Sequence, residues 1–352
     1  MNAVVLPSPD ALPVAWGWFE GLNILTFALH IMLVNVLVGG AVVALTLRSG
    51  NRNDPAAAFL SAKLPTVFAL AVNLGVAPLL FLQVLYGQLF YPTAVLSAVW
   101  FMSMIVLLVL GYYSYYIHQH RAKAEPGSGG AFLGLGAALA LCVSLVLANA
   151  MGMMLRPDLW PGFLGPAAGR MFEFMEPRFL PRWLHFLCAS LAVGGLAAAL
   201  VARLGPGRGT DAAARSEAVG LKWFSWGTVA QMFAGLWWLV ALEQPVMLRF
   251  MGGDVLATLS LLAGVALAVA ALVMGFTGRT IPAAWLVGAT VLVMALLRAQ
   301  VRAFSLEPWF HPGDLPVTGE YSPLVLFLAA LAVGLAVLAW IWKLASKPNT
   351  EG

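Results

Sequence analysis

Long apolar runs constrain this chain more than any other feature of its sequence. A helix needs about 20 mostly apolar residues to cross the hydrocarbon core of a bilayer, and backbone that lacks internal hydrogen bonds is not tolerated there. The runs therefore predict an all-α polytopic membrane protein with nine transmembrane helices. They lie near 18–47, 64–90, 93–117, 130–154, 182–203, 222–244, 254–277, 281–303 and 322–343.

The composition excludes several other classes of protein. Of the 352 residues, 61% are hydrophobic and 10% are charged, whereas an ordinary soluble domain has roughly 25% charged residues. The formal net charge is only +4, and no basic run is long enough to follow a phosphate backbone. We therefore expect membrane lipid around the chain and no nucleic acid partner.

Basic residues concentrate in alternate linkers between the runs. Twelve of the 19 lysines and arginines follow the odd-numbered runs. The positive-inside rule then places the N-terminus outside and the C-terminus in the cytoplasm, in a bacterial-type inner (cytoplasmic) membrane. The start of the chain lacks the basic region of a signal peptide, so we expect insertion through its own helices. Short cytoplasmic turns are predicted at 48–63, 119–129 and 204–221, and longer external caps at 155–181 and 304–321.

An internal repeat relates the first run to the fifth. His30 is followed by a glycine nine residues later and by Arg48 eighteen residues later, and His185 is followed in the same way by Gly194 and Arg203. Eighteen residues span about 27 Å of helix, so both imidazoles are expected near the outer edge of the hydrocarbon. The copies lie four runs apart, an even number, so the two halves run parallel.

This repeat predicts two parallel four-helix bundles plus a ninth helix. The expected units are 1–155 for the first bundle, 156–303 for the second, and 304–352 for the outer loop, the ninth helix and the tail.

Two histidines inside apolar runs are candidate ligands. Ionisable side chains in a bilayer are costly, so each is a functional hypothesis by default. The alternative for each is an imidazole that hydrogen-bonds to a neighbouring carbonyl or hydroxyl. The matched positions of His30 and His185 favour ligands, and haem iron suits imidazole nitrogens among parallel helices.

These residues resemble subunit I of the cytochrome bd quinol oxidases. That family has nine helices, an external N-terminus and haem-ligand histidines on helices one and five, each followed nine residues later by glycine. The resemblance maps its helix-one ligand onto His30 and its low-spin b-haem histidine onto His185. It implies haem b, one or two per chain, with a quinone or quinol as substrate.

Other segments resemble the same family in the same order. The segment from Gly75 to Gly87 is similar to its second helix, and Asn149 lies near the end of a similar fourth helix. The sequence Arg249-Phe-Met251-Gly resembles the motif whose methionine is the second low-spin haem ligand, which implies that role for Met251. The alternative is that Met251 only packs.

Departures from the family affect oxygen reduction. The long quinol-binding loop between helices six and seven is missing. Leu96 and Met104 replace two proton-conducting glutamates, and Ala303 stands where the family has a glutamate haem ligand. The resemblance therefore implies electron transfer rather than an oxidase.

Several basic side chains remain to be assigned. Arg298 and Arg302 lie four residues apart on one face of the eighth run. They either reach to the lipid headgroups or pair with haem propionates. Arg182, three residues before His185, is a further candidate for the propionates. The other histidines, His118, His120 and His311, are interpreted as solvated loop residues.

The leading hypothesis is a haem b subunit that moves electrons between the quinone pool and a redox partner, as part of a quinol-linked oxidoreductase. The partners expected are further membrane subunits or an external protein such as a c-type cytochrome. The alternatives are a haem-free membrane anchor of a redox complex and a functional quinol oxidase subunit.

Overall fold

The computed structural model describes residues 6–205 and 207–345, and within them the regular structure is helical. Three short 3-10 helices and one π-helical turn, Arg249–Gly253, lie between the α-helices. The α-helices are α1 Trp16–Gly50, α2 Pro55–Leu96, α3 Ala98–Ala124, α4 Gly130–Met153, α5 Phe179–Leu204, α6 Asp211–Ala241, α7 Gln244–Leu248, α8 Val255–Phe276, α9 Thr280–Leu306 and α10 Ser322–Ala345.

Long apolar helices confirm a multi-pass helical membrane protein. In the described part of the chain, seven helices are long and apolar enough to cross a bilayer, namely α1 to α5, α8 and α9. The predicted sixth run falls mostly in α6, which ends at Ala241 and whose first turns carry charged side chains. The predicted ninth run lies within α10. The count of nine spans therefore stays a prediction.

Helix capping makes two of the predicted turns much shorter than expected. We predicted turns over 48–63 and 204–221, but α1 continues to Gly50 and α6 already begins at Asp211. The Asp54 carboxylate accepts a hydrogen bond from the backbone of Ala57 at the start of α2. The Thr210 hydroxyl accepts one in the same way at the start of α6. Such caps let a helix extend beyond the hydrocarbon into water.

The boundary between the second and third runs also differs from the prediction. Helix α2 does not end near residue 91 but continues through Pro92 to Leu96, with a kink at Tyr86. The predicted external stretch at 155–181 is confirmed as a long connection, since α4 ends at Met153 and α5 begins at Phe179.

The outward surface of α3 is apolar. Met102, Ile105, Val106 and Val109 are all exposed. A contiguous apolar face of this kind would promote aggregation in water, whereas in a bilayer it contacts acyl chains. The exposed side chains thus agree with the apolar length of the helix.

Contacts between helices occur within each half of the chain and also between the halves. Helix α1 contacts α2 and α4, and α3 contacts both α2 and α4. Helix α5 contacts α6 and α9, and α8 contacts the same two helices. Between the halves, α1 contacts α5 most extensively and also contacts α9.

Helices α1 and α5 cross at equivalent positions of the repeat. A Cβ atom on Gly39 would overlap the Ser190 carbonyl, and one on Gly194 would overlap the backbone of Gly39. The Ser190 hydroxyl donates a hydrogen bond to Oδ1 of Asn35 at 2.8 Å, with both residues buried. Since 35 pairs with 190 and 39 with 194, the two helices run parallel and cross at the same level.

Candidate functional site

His30 is held at the boundary between α1 and α2. Its Nδ1 lies 2.9 Å from the Ala71 carbonyl oxygen. Because a carbonyl only accepts, Nδ1 carries the proton and the neutral ring keeps its lone pair on Nε2. Metal-binding histidines are commonly fixed in this way, with the second nitrogen free to coordinate. Gly75 adjoins the ring, since a Cβ there would lie 2.7 Å from Cε1.

His185 has the same surroundings between α5 and α6. Its Nδ1 lies 3.0 Å from the Gln231 carbonyl oxygen. Gly235 adjoins the ring, because a Cβ at that position would lie 2.9 Å from Nδ1. The carbonyl and the glycine are four residues apart here, as Ala71 and Gly75 are beside His30.

The repeat therefore extends into the second helix of each half. Gly40 packs against Leu60 and Leu64 of α2, and Gly195 packs against Gly220 and Phe224 of α6. Each of these pairs lies eleven and seven residues before the carbonyl that holds the histidine. Sequence analysis missed this extension because the packing residues differ in type between the halves.

The Nε2 atoms of the two imidazoles have different neighbours. The side-chain Nε2 of Gln231 lies 3.4 Å from Nε2 of His185. No hydrogen bond from a residue in the described ranges reaches Nε2 of His30, which lies near the Phe27 ring. Iron could therefore bind Nε2 of His30 without displacing a side chain, whereas binding to Nε2 of His185 would require the Gln231 amide to move.

The Arg302 side chain does not extend to the lipid headgroups. It is 4% exposed, and its guanidinium pairs with the Glu20 carboxylate at 2.6 Å and lies over the Tyr86 ring at 4.8 Å. Of the two alternatives, a side chain that reaches the lipid headgroups is wrong for this residue, because the Glu20 carboxylate holds the guanidinium inside the protein. Sequence analysis did not identify Glu20, although an acidic residue in the first run was the available signal.

Arg298 lies beside His30. Its guanidinium lies over the Phe27 ring at 4.1 Å, and it forms no hydrogen bond with another residue of the described chain. The centroid of the same Phe27 ring lies 6.5 Å from that of His30. The structure thus brings Arg298, one of the arginines predicted to face propionates, close to one predicted haem ligand.

Arg182 is held by α4. Its terminal nitrogen donates to the Ala148 carbonyl, and its guanidinium packs on Gly152. Its Nε is buried without a hydrogen-bond partner. Orphaned donors of this kind also include Nε of Arg302, so two of the three arginines keep a free donor for an anion.

Met251 lies in the π-helical turn after α7 and is 63% exposed. Met247 on α7 and Trp238, the aromatic neighbour of His185, both pack against the cluster that contains Leu242. Met247 is therefore a second methionine that sequence analysis did not consider.

An ion-pair network lies at the start of α5. Arg178 pairs with Glu176 at 2.5 Å and with Glu243 at 3.1 Å. In the connection between α4 and α5, the Arg156 guanidinium hydrogen-bonds to Asp158 and lowers the pKa of that carboxyl. These contacts hold the α4–α5 connection against the ends of the helices.

The three remaining histidines differ in their burial. His120 and His311 are exposed, as predicted. His118 is fully buried in α3, so its prediction as a solvated residue is wrong. Its Nδ1 donates to the Gly129 carbonyl at 3.0 Å, and this backbone contact with the next linker accounts for its burial.

The residues at His30 fit a haem group in their chemistry. An imidazole nitrogen without a hydrogen bond from the described residues and an adjoining glycine meet there, and the Arg298 guanidinium lies over Phe27, whose ring neighbours His30. Among the residues described, no group of three or more His, Cys, Asp or Glu could hold a metal ion. No protein-family model matches the chain, and no curated protein matches it.

Proposed function

We propose that this chain is a haem b electron-transfer subunit of a membrane, with His30 and His185 as iron ligands. The observation that carries the proposal is the matched setting of the two rings, each with Nδ1 on a backbone carbonyl and a glycine against its edge. The same pairing of a carbonyl and a glycine thus recurs at both histidines of the repeat, and it leaves Nε2 of each ring without a backbone partner in the described chain.

The chain's own residues have defined tasks in this proposal. The Ala71 and Gln231 carbonyls keep the proton on Nδ1, so that Nε2 of each ring faces the iron. Arg298 and Arg182 would bind the propionates, and Glu20 keeps Arg302 in place. The haem, when bound, supplies reversible one-electron chemistry. Met251 is the proposed second ligand of the haem that His185 would hold, and Met247 is the alternative.

The proposed architecture has nine spans, arranged as two parallel four-helix bundles and a ninth helix. The parallel crossing of α1 with α5 and the helix contacts within each half support it. The concentration of basic residues in alternate linkers supports a cytoplasmic C-terminus. Electrons pass between the quinone pool and a redox partner, either a membrane subunit or an external protein such as a c-type cytochrome.

Difference spectra of purified variants test the proposal. We expect a reduced b-type absorption band in the wild type and its loss or shift in His30→Ala and in His185→Ala. His120→Ala is the matched control, because this histidine is exposed and lies outside the repeat. A band that is absent from folded wild type, or unchanged in both variants, contradicts the proposal.

A haem-free membrane anchor is the second candidate. Two contacts favour it: the Gln231 amide beside Nε2 of His185, and the Glu20 carboxylate that already neutralises Arg302. Iron analysis separates the two functions, because an anchor contains none. A quinol oxidase would in addition take up oxygen in a cyanide-sensitive manner.

A further inference from the structure

A basic cavity lies at that end of the helices where the linkers with most of the lysines and arginines are found. Its volume is about 200 Å³, and it is formed by the α1–α2 linker, the last turns of α3 and the α3–α4 linker. Three cationic side chains line it, those of Arg48, Arg52 and Lys123. Within residues 6–205 and 207–345, none of the three pairs with a carboxylate.

Arg48 differs from its counterpart in the repeat. It is 7% exposed and donates to the Ser128 carbonyl at 2.6 Å. The equivalent residue in the second half, Arg203, forms an ion pair with Glu217 at 3.0 Å. A buried guanidinium without a counter-charge is costly. An anion in the cavity would give Arg48 the compensation that Glu217 gives Arg203.

His118 adds a second, independent feature to the cavity. It is fully buried and lines the cavity, and its Nε2 has no hydrogen-bond partner in the structure. Because Nδ1 donates to the Gly129 carbonyl, Nε2 of the neutral ring is an acceptor. Three cations therefore line the cavity, and an acceptor without a donor is buried in its wall.

We propose that this cavity binds a phosphate ester that carries a neighbouring hydroxyl group. The phosphate pairs with Arg48, Arg52 and Lys123, and the hydroxyl donates to Nε2 of His118. The glycerophosphate headgroup of phosphatidylglycerol has both groups, as do soluble glycerol phosphates.

The position of the cavity favours the lipid as the source of this group. Basic pockets between transmembrane helices on the cytoplasmic side attract anionic headgroups. Helices α2 and α3, which both line the cavity, expose apolar side chains such as Leu70 and Ile117 further along their lengths. Acyl chains of a bound lipid would lie against these faces.

Native mass spectrometry of the full chain, titrated with defined lipids, tests the proposal. We expect phosphatidylglycerol to be retained and phosphatidylcholine to be lost. The double variant Arg52→Gln/Lys123→Gln should weaken retention by about tenfold or more, since each cation near an anionic headgroup contributes substantially. Both side chains are exposed, so their replacement preserves the fold. Arg208→Gln, an exposed change in the matching linker of the second half, should have no effect.

Two further ligands define the chemistry. Phosphatidylmethanol keeps the charge but lacks the hydroxyl, so we expect several-fold weaker retention than for phosphatidylglycerol. Glycerol 3-phosphate binding as tightly as the lipid would assign the site to a soluble ester. Equal retention of phosphatidylcholine, equal retention of phosphatidylmethanol, or no loss in the double variant would overturn the proposal.

Discussion

The Ser190 hydroxyl donates a hydrogen bond to Oδ1 of Asn35 across the contact of α1 with α5, and the two residues occupy the same position of the internal repeat. Four residues further along each helix, Gly39 meets Gly194. This pairing of each repeat position with its counterpart is what a local two-fold axis along the helices produces. It fixes the two histidines at one level.

Removal of the Ser190 hydroxyl should weaken the α1–α5 contact. Ser190→Ala leaves Oδ1 of Asn35 buried without its donor. We expect a loss of about 0.5–2 kcal/mol, typical of hydrogen bonds between membrane helices, measured by thermal unfolding in detergent. Ser103→Ala is the control, because the Ser103 hydroxyl bonds only within α3. Equal stability of the two variants would contradict the contact.

A side chain at Gly39 should separate the helices. Gly39→Ala places a methyl group on the Ser190 carbonyl, and overpacking of this kind costs about 1–3 kcal/mol or more. Gly288→Ala in α9 has open space around the new methyl group and should leave stability unchanged or higher. Thermal unfolding of both variants tests the prediction, and a stable Gly39→Ala would show that α1 and α5 do not approach closely.

The glycines beside the imidazoles should matter for the cofactor. The Cβ atoms of Gly75→Ala and Gly235→Ala would press on the rings of His30 and His185. We expect a shifted or diminished reduced absorption band in each variant, with Gly288→Ala again as the control. Unchanged spectra in both would mean that the rings have freedom to move or do not bind iron.

Variants of Met251 and Met247 distinguish which methionine is the second haem ligand. If Met251 is the second ligand opposite His185, Met251→Leu should lower the midpoint potential of that haem, because thioether ligation raises it. Met247→Leu should leave the potential unchanged. Redox titration of both variants measures the difference, and the reverse pattern would move the ligand to the methionine that packs near Trp238.

The buried pair of Glu20 and Arg302 should be needed as a pair. Glu20→Gln leaves a 4% exposed guanidinium without its counter-charge, and breaking one side of such a pair costs about 3–5 kcal/mol. The double variant Glu20→Gln/Arg302→Gln should recover much of this loss. Unfolding in detergent measures both. A single variant as stable as the wild type would indicate that another group compensates Arg302.

Patterns along single helices were sufficient to predict the helical membrane class of the chain. Apolar length gave the membrane class, and the spacing of His30 and His185 from their glycines gave the equivalence of α1 and α5. Capping by Asp54 and Thr210 was not anticipated, because short polar residues at helix ends also occur in turns.

Side-chain contacts between different helices could not be predicted from the sequence. The partner of Arg302 is Glu20, near the opposite end of the chain. The sequence predicts a solvated loop residue at His118, but this side chain packs under the α3–α4 linker. Gly235 has no motif of its own, and only its place against His185 identifies it.

The haem content of the purified full chain tests the two-histidine site most directly. Pyridine haemochrome analysis with protein quantification should give one or two haem b per chain, with a reduced content in His30→Ala and His185→Ala. A correctly folded wild type with no haem and no iron would contradict the proposed function and leave the membrane anchor.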